Sequence, residues 1–408
     1  MNDVLRQWHP GLGPKLADFY RDLHRHPEVS LAEHRTAAKV AGALEPLGYQ
    51  VTTGVGGTGV VGVLRNGDGP VVMLRADMDA LPMQEKTGLP YASTDPAVMH
   101  ACGHDMHTTC LLGAATLLDR AKDSWSGTVL IVFQPAEELS TGARAMVADG
   151  LFDRFGKPDI VLGQHVGPLP AGMVGYGSGP IMATSDDLHV TLFGRGGHGS
   201  RPETTVDPIL MAAHIVTRLQ GIVAREVHPS DTAVVTVGKL HAGTKDNIIP
   251  DTAELGINIR SYAEHVRVQI KAAIERIVRA EAAASGTEKE PLIEWHTSAP
   301  LLVSDPDRTA ATVAAFTEHF GVENMFPMPV VTGSEDVGIY GEAAGVPTVF
   351  WFWGGIDRDR VLNALATNTV NSLPSNHSPE FAPLIEPTLR TGVETLTVAA
   401  LTWLGAGG

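Results

Sequence analysis

Cysteine is nearly absent: Cys102 and Cys110 are the whole supply in 408 residues. Two thiols cannot build a disulfide framework, and their separation is not that of a CxxC redox pair, so the expected setting is the reducing cytoplasm. Long apolar runs are missing too. No stretch reaches the roughly 18 consecutive apolar residues of a membrane span, and the opening "MNDVLRQWHPGLGPK" has no apolar leader core. Positive charge is short: 30 Lys and Arg stand against 46 Asp and Glu, a net charge of −16. That balance argues against nucleic acid or an anionic membrane as partner, and leaves the field inside a cleft open. Repeats and low-complexity tracts are also lacking. What remains is an ordinary globular composition, long enough for about two or three domains.

The first part alternates β-rich and helical runs: "GVVGVL" (59–64), "PVVMLRA" (70–76), a helix from about His104 to Lys122, "GTVLIVF" (127–133), a helix near 138–149, and "DIVLG" (159–163). Such alternation predicts an α/β domain with a mainly parallel sheet, whose ligands bind beyond the carboxyl ends of the strands. Three polar clusters, "RADMD", "QPAEE" and "QHV", fall at those ends. From about Ser185 the order becomes strand, helix, strand, strand, helix, strand, which suggests a ferredoxin-like insertion. The α/β style resumes near Ala299, with helix 306–319, a helix after "GSEDV", the apolar strand 346–353 and a closing helix near 386–404. The expected plan is therefore a discontinuous domain, 1–184 and 299–408, interrupted by a smaller one at 185–298.

Residues 99–107, "MHACGHDMH", concentrate the chemistry. They fit a metal site, a redox site or a helix start that happens to carry imidazoles. A thiolate and an imidazole on either side of Gly103 can reach one ion, because glycine lets the backbone turn between them. Glu137 and Glu138 end a strand; in extended backbone adjacent side chains diverge, so one could ligate while the other serves as general base. His165 follows another apolar strand and His377 lies in a Pro- and Ser-rich loop. Cys102, His104, Glu138, His165 and His377 make five donors, more than one catalytic zinc usually takes from protein, which points to two divalent ions of zinc, manganese or cobalt. Asp77 is the candidate carboxylate for holding a ligating imidazole by its other nitrogen. His107 is placed on the helix without a role, and His100 beside the ligands. In "TGSEDVGIY" Ser334 reads either as a helix N-cap or, with Gly333, as a source of backbone donors for a substrate carboxylate.

At these residues, and at "LHRHPEVSLAE", "RADMDALPMQE", "VFQPAEE", "GQHVGPLPAG", "GRGGHGSRPETTVDPI", "KDNIIPDTAELGINIR", "GSEDV" and "NHSPEF", the chain resembles the dinuclear metallo-amidohydrolases that include aminoacylases, hippurate hydrolases, indole-3-acetyl-amino-acid hydrolases and carboxypeptidase G. The wider family takes a metal histidine from an HxD pair. Here Arg75 stands in that position and cannot ligate. The resemblance implies a metallopeptidase-like catalytic domain with an inserted lid and dimerisation domain, the five donors above as ligands, and Glu137 as general base. It further implies that His198 stabilises the oxyanion, that Asn247 and Arg260 bind the substrate carboxylate, and that the protein is a homodimer through the lid. The expected reaction is hydrolysis of the amide of an N-acyl amino acid. Peptidase action on short peptides and a catalytically silent amino-acid-binding protein are the alternatives.

Overall fold

The computed structural model describes residues 11–406; residues 1–10, most of the opening stretch on which the expectation about a leader rests, lie outside this range. The chain divides into two compact units. One holds the residues up to Ile181, Val303–Pro329 and Asp336 onward; the other holds Met182–Leu302 and the short return Val330–Glu335. Nothing in the sequence pattern announces that return. It is held by backbone bonds from Ala183 N to Val331 O and Gly333 O, at 3.2 and 2.9 Å.

The larger unit is built on strands β1 (Gln50–Val55), β2 (Gly59–Asn66), β3 (Val71–Asp77), β4 (Trp125–Gln134), β5 (Ile160–Pro170), β6 (Val174–Tyr176), β7 (Met325–Pro327) and β8 (Thr348–Ile356). Their order is β1-β2-β4-β3-β5-β8-β6-β7. The middle four, β4, β3, β5 and β8, run parallel, whereas β1 and β2 join antiparallel at one side and β6 at the other. Continuous apolar runs such as β8 "TVFWFWGGI", buried along its whole length, suit a strand covered on both faces. Because the central strands are parallel, their carboxyl ends share one rim: Asp77 pairs with Gln134 across β3 and β4, and Phe352 with His165 across β8 and β5.

Helices α1 (Leu12–Arg25), α2 (His34–Leu44), α3 (His104–Arg120), α4 (Gly142–Ala148), α5 (Pro306–Phe320), α6 (Gly338–Ala344), α7 (Arg358–Ala366) and α8 (Thr388–Trp403) complete the unit. α3 is buried from His104 to Leu118, so its polar residues must find partners inside the protein. Its apolar residues Leu111, Ala114 and Leu117 join Leu74, Ile131, Trp353, Val393 and Leu396 in the core. α4 begins later than the expected helix near 138, because Ala136 and Ser140 have φ of +50° and +52° and hold the segment between them in a turn. α6 begins at Gly338 with Val337 at its N-cap, so Ser334 is not the cap. The buried Asp336 side chain is committed to Arg75 and Gln134, and Ile339 N bonds Asp336 O at 3.0 Å, which starts the first turn there.

The smaller unit has an antiparallel sheet in the order Ala233–Ala242, Thr252–Ser261, Thr184–Phe193, Leu292–Ala299. That is the strand order of a ferredoxin-like fold. Alternate burial along Thr252–Ser261 gives the sheet one apolar face. Helices Pro208–Arg225 and Glu264–Ala284 cover it through Ile215, Leu219, Ile270 and Ile274. The first is started by Asp207, whose carboxylate accepts from Ile209 N and Leu210 N, with Pro208 in the first turn.

Candidate metal centre

Five loop or strand ends of the larger unit deliver side chains to the rim. Cys102 precedes Gly103, which adopts φ +87° at the start of α3 and turns the chain so that His104 follows on the helix. A side chain at Gly103 would strike Val166 Cγ1 at 2.4 Å, so the position demands glycine for space as well as for φ. Cys102 Sγ lies 3.5 Å from His165 Nε2, and His377 Nε2 lies 3.3 Å from Glu138 Oε2. His104 Nε2 is 3.9 Å from both Glu137 Oε2 and Glu138 Oε1. Donor atoms of Cys102, His104 and His165 lie within 4.8 Å of one another, as do those of Cys102, Glu138 and His377, so Cys102 is common to both groups.

The two glutamates do not diverge as extended backbone would make them. The left-handed Ala136 and the bond from Ser140 N to Glu137 O, 2.6 Å, fold them into a turn, and both carboxylates reach the same imidazole.

Partners behind these side chains fix their protons. Asp79 Oδ1 meets His104 Nδ1 at 3.1 Å, and its Oδ2 accepts from Glu138 N at 3.0 Å and from Ser30 Oγ at 2.7 Å. The carboxylate on the far nitrogen of His104 is therefore Asp79, whereas Asp77 serves other groups. Asp77 Oδ1 accepts from His107 Nδ1 at 2.5 Å, and His107 Nε2 accepts from Val166 N at 2.9 Å, beside His165. Arg75, 1% exposed, donates to Asp77 Oδ2 at 2.7 Å, Asp336 Oδ1 at 2.9 Å and Gln134 Oε1 at 2.9 Å. His165 donates from Nδ1 to Val166 O at 2.8 Å, which leaves Nε2 as the acceptor facing Cys102. Asn376 Nδ2 donates to Cys102 O and Val166 O, both at 3.0 Å, and His377 N donates to Ala101 O at 2.9 Å.

Do these residues fit divalent ions? His104 Nε2 and Glu138 Oε1 are buried and have no hydrogen-bond partner among the described residues, although each faces the cluster. Orphaned atoms of that kind are costly unless something else satisfies them, and a cation would. Charge points the same way. Burial raises the Cys102 thiol, with Glu138 adding to it, while hydrogen bonds to Cys102 and Glu138 push His377 up to about 10. Burial pulls His104 down, but Asp77 and Cys102 outweigh it and lift the imidazole well above its ordinary value. His165 is held well below, by burial and then by His107. The cluster thus retains protons that a dication would displace, which makes binding stronger at higher pH.

The remaining expected site residues belong to the smaller unit and form two groups there. His198 pairs with Ile248 in a short antiparallel bridge, and Gly199 N donates to Asn247 O at 2.8 Å, so His198 and Asn247 are neighbours, both exposed. Ser200 N donates to His198 Nδ1 at 3.1 Å, which leaves the ring proton on Nε2. Arg260 donates from Nη1 to Thr332 O at 2.8 Å, next to Gly333 and Ser334.

Sequence reasoning passed over Asp79, His107 and Asn376 as site residues. Asp79 stood in the quoted "RADMD" and its signal was the second carboxylate; Asn376 adjoins a ligand candidate but gives no signal by spacing.

Residues 73–364 match Peptidase family M20/M25/M40. The chain is 38% identical to N-acetyl-L-cysteine deacetylase of Bacillus subtilis (strain 168) over 345 residues, 84% of this chain and 81% of the relative. It is 41% identical to hippurate hydrolase of Campylobacter jejuni over 323 residues, 78% of this chain and 83% of the relative. Among solved structures, a dinuclear metal binding peptidase of the M20 family from Bacillus subtilis superposes with a TM-score of 0.75 at 30% identity, covering 96% of this chain and 98% of that one.

Proposed function

The chain belongs to Peptidase family M20/M25/M40, and from that premise we propose that it hydrolyses the amide of N-acyl amino acids, releasing a carboxylic acid and a free amino acid. The observation that carries the reading is a second carboxylate: Glu137 stands beside Glu138 at the same imidazole, and a site for binding alone has no use for both. Cys102, His104, Glu138, His165 and His377 would hold two divalent ions, zinc, manganese or cobalt. Ions bound there supply Lewis acidity to the amide carbonyl and to water. Glu137 takes the proton of the attacking water and delivers it to the leaving nitrogen, so one carboxylate acts as base and then as acid. Asp79 keeps the His104 proton on Nδ1, and Asp77, through His107, props the backbone beside His165. His198 would donate from Nε2 to the oxygen that gains charge, a contribution worth roughly 3 kcal/mol per donor. Asn247, Arg260 and the backbone of Gly333 and Ser334 would receive the substrate carboxylate.

The working form is proposed to be a cytoplasmic homodimer. Both cysteines are free, and Ile209, Leu210 and Val223 on one helix of the smaller unit and Val234 and Leu240 on its edge strand are exposed apolar side chains. Among the described residues no helix is long and apolar enough to cross a membrane.

The test is a panel of acetyl- and benzoyl-amino acids run beside unblocked dipeptides on metal-stripped protein reloaded with single metals. Blocked substrates should be cleaved and dipeptides left. Glu137→Gln should lose about 100- to 10,000-fold in kcat with its metal content intact. Turnover of dipeptides alone, or full activity in Glu137→Gln, contradicts the assignment.

A further inference from the structure

The N-terminal run "HPEVSLAE" has so far contributed only Ser30, which donates to Asp79, yet its last residue reaches the catalytic turn. Glu33 is fully buried, at 0% exposure. Its Oε1 accepts from Ala136 N at 2.9 Å, from a residue 103 positions away in sequence, and from Leu31 N at 3.0 Å. Its Oε2 accepts from Thr58 Oγ at 2.6 Å. Ala136 immediately precedes Glu137 and sits at φ +50°, a region that residues with a side chain occupy only where the surroundings over-determine it.

The surroundings do so from both ends of the turn. Thr141 N and Gly142 N close onto Ala136 O at 3.3 and 3.2 Å, and Asp79 receives Glu138 N. The Ala136 N–H, pointing inward, has Glu33 as its acceptor. Without that acceptor the amide would be a buried unsatisfied donor, and the turn would relax toward ordinary backbone with Ala136 N–H turned elsewhere.

We propose that Glu33 is a positioning residue for the reaction: by accepting the Ala136 amide it holds the left-handed turn that aims the Glu137 carboxylate, a role that rests on Glu137 being the proton carrier. Its hydrogen-bond partners, Leu31 N, Thr58 Oγ1 and Ala136 N, include none of the candidate ligands. Two atoms of the carboxylate do separate work, since Oε1 holds the turn and Oε2 holds Thr58. Losing the first bond disturbs chemistry, and losing the second disturbs only stability.

Three variants of the full-length, metal-loaded protein separate these effects, with hippurate and N-acetyl-L-cysteine as substrates. Glu33→Asp keeps the charge and withdraws it by one methylene from Ala136 N. Its kcat should fall about 10- to 100-fold with KM and metal content near wild type. Amide exchange in a peptide spanning 134–142 should accelerate while the core stays protected. Glu33→Gln retains an acceptor for Ala136 N and an amide donor for Thr58, and should recover most of kcat and slow exchange. Thr58→Val should lower the melting temperature and leave kcat unchanged.

A Glu33→Asp protein with slow exchange and full kcat overturns the proposal, as does fast exchange at 134–142 with kcat intact. If Glu33→Asp is recovered unfolded, Glu33→Gln decides: slow exchange with kcat lost, or fast exchange with kcat kept, is the contrary result. Exchange is read without substrate, so an inert wild-type protein or an active Glu137→Gln would sink the function while the hold of Glu33 on the turn is still measured.

Discussion

Asp79→Asn changes no volume, and the hydrogen bonds dictate which way the new amide must face. Oδ2 of Asp79 accepts from Glu138 N and Ser30 Oγ, and Oδ1 meets His104 Nδ1. The asparagine oxygen must take the first place, because an NH2 there would oppose a backbone donor. Its NH2 then faces Nδ1, which has to accept, and the ring proton moves to Nε2. Nε2 is the buried, unpartnered atom that faces Glu137, Glu138 and Cys102, and a protonated nitrogen cannot ligate. To bind an ion the variant must return the proton to Nδ1 and set donor against donor. Losing one charge-assisted hydrogen bond costs about 1.5–3 kcal/mol, which corresponds to roughly 10- to 100-fold in metal affinity. Competition with a chelator of known affinity, followed by elemental analysis of the dialysed protein, measures this, and melting of the metal-free form controls for folding. A folded Asp79→Asn that binds both ions as tightly as the wild type would refute the tautomer argument.

Arg75→Met removes the guanidinium that bridges buried Asp77 and Asp336, so it should destabilise the fold by about 3–5 kcal/mol, read from urea unfolding of the metal-free protein; an unchanged midpoint would show that the two carboxylates do not depend on it. Asn376→Ala deletes the bonds to Cys102 O and Val166 O and should weaken metal retention while leaving the far side of the sheet unaltered, as hydrogen exchange would report. His24, buried between Asp105 and Glu85, is pushed up to about 9: burial pulls it down, but Asp105 and then Glu85 outweigh that. Its folded pKa lies above the unfolded one, so its contribution is complete below about pH 6.5 and is lost as pH rises through about 9. Wild-type melting temperature should therefore fall more steeply between pH 6 and 10 than that of His24→Gln, and parallel curves would contradict it.

How far the sequence could be read depended on the kind of signal. Apolar runs and their polar ends located the strands and brought Glu137, Glu138 and His165 to one rim, because parallel strands bring their carboxyl ends together; Cys102, His104 and His377 reach it from a helix start and a loop, where only residue type marks them. Local backbone was less legible. Nothing about an alanine announces φ +50°, so neither the late helix start at Gly142 nor the shared direction of the two glutamates is legible in the sequence. Ser334 looked like a cap because capping residues are recognised by type, whereas the burial of Asp336 that moves the helix start is a tertiary fact. His107 carried no assigned role because a helix buried over most of its length shows no amphipathic stripe to tell inward from outward. The choice between Asp77 and Asp79 turned on two residues of strand-end geometry, which spacing alone does not resolve.

The most direct measurement is X-ray diffraction of the metal-loaded protein above and below the absorption edge of the added metal. The account predicts two anomalous peaks, both in contact with Cys102, one also with His104 and His165 and the other with Glu138 and His377, and Glu137 bonded to neither. No peak at that rim, or occupied sites that use Glu137 as a ligand and leave Cys102 aside, would contradict it.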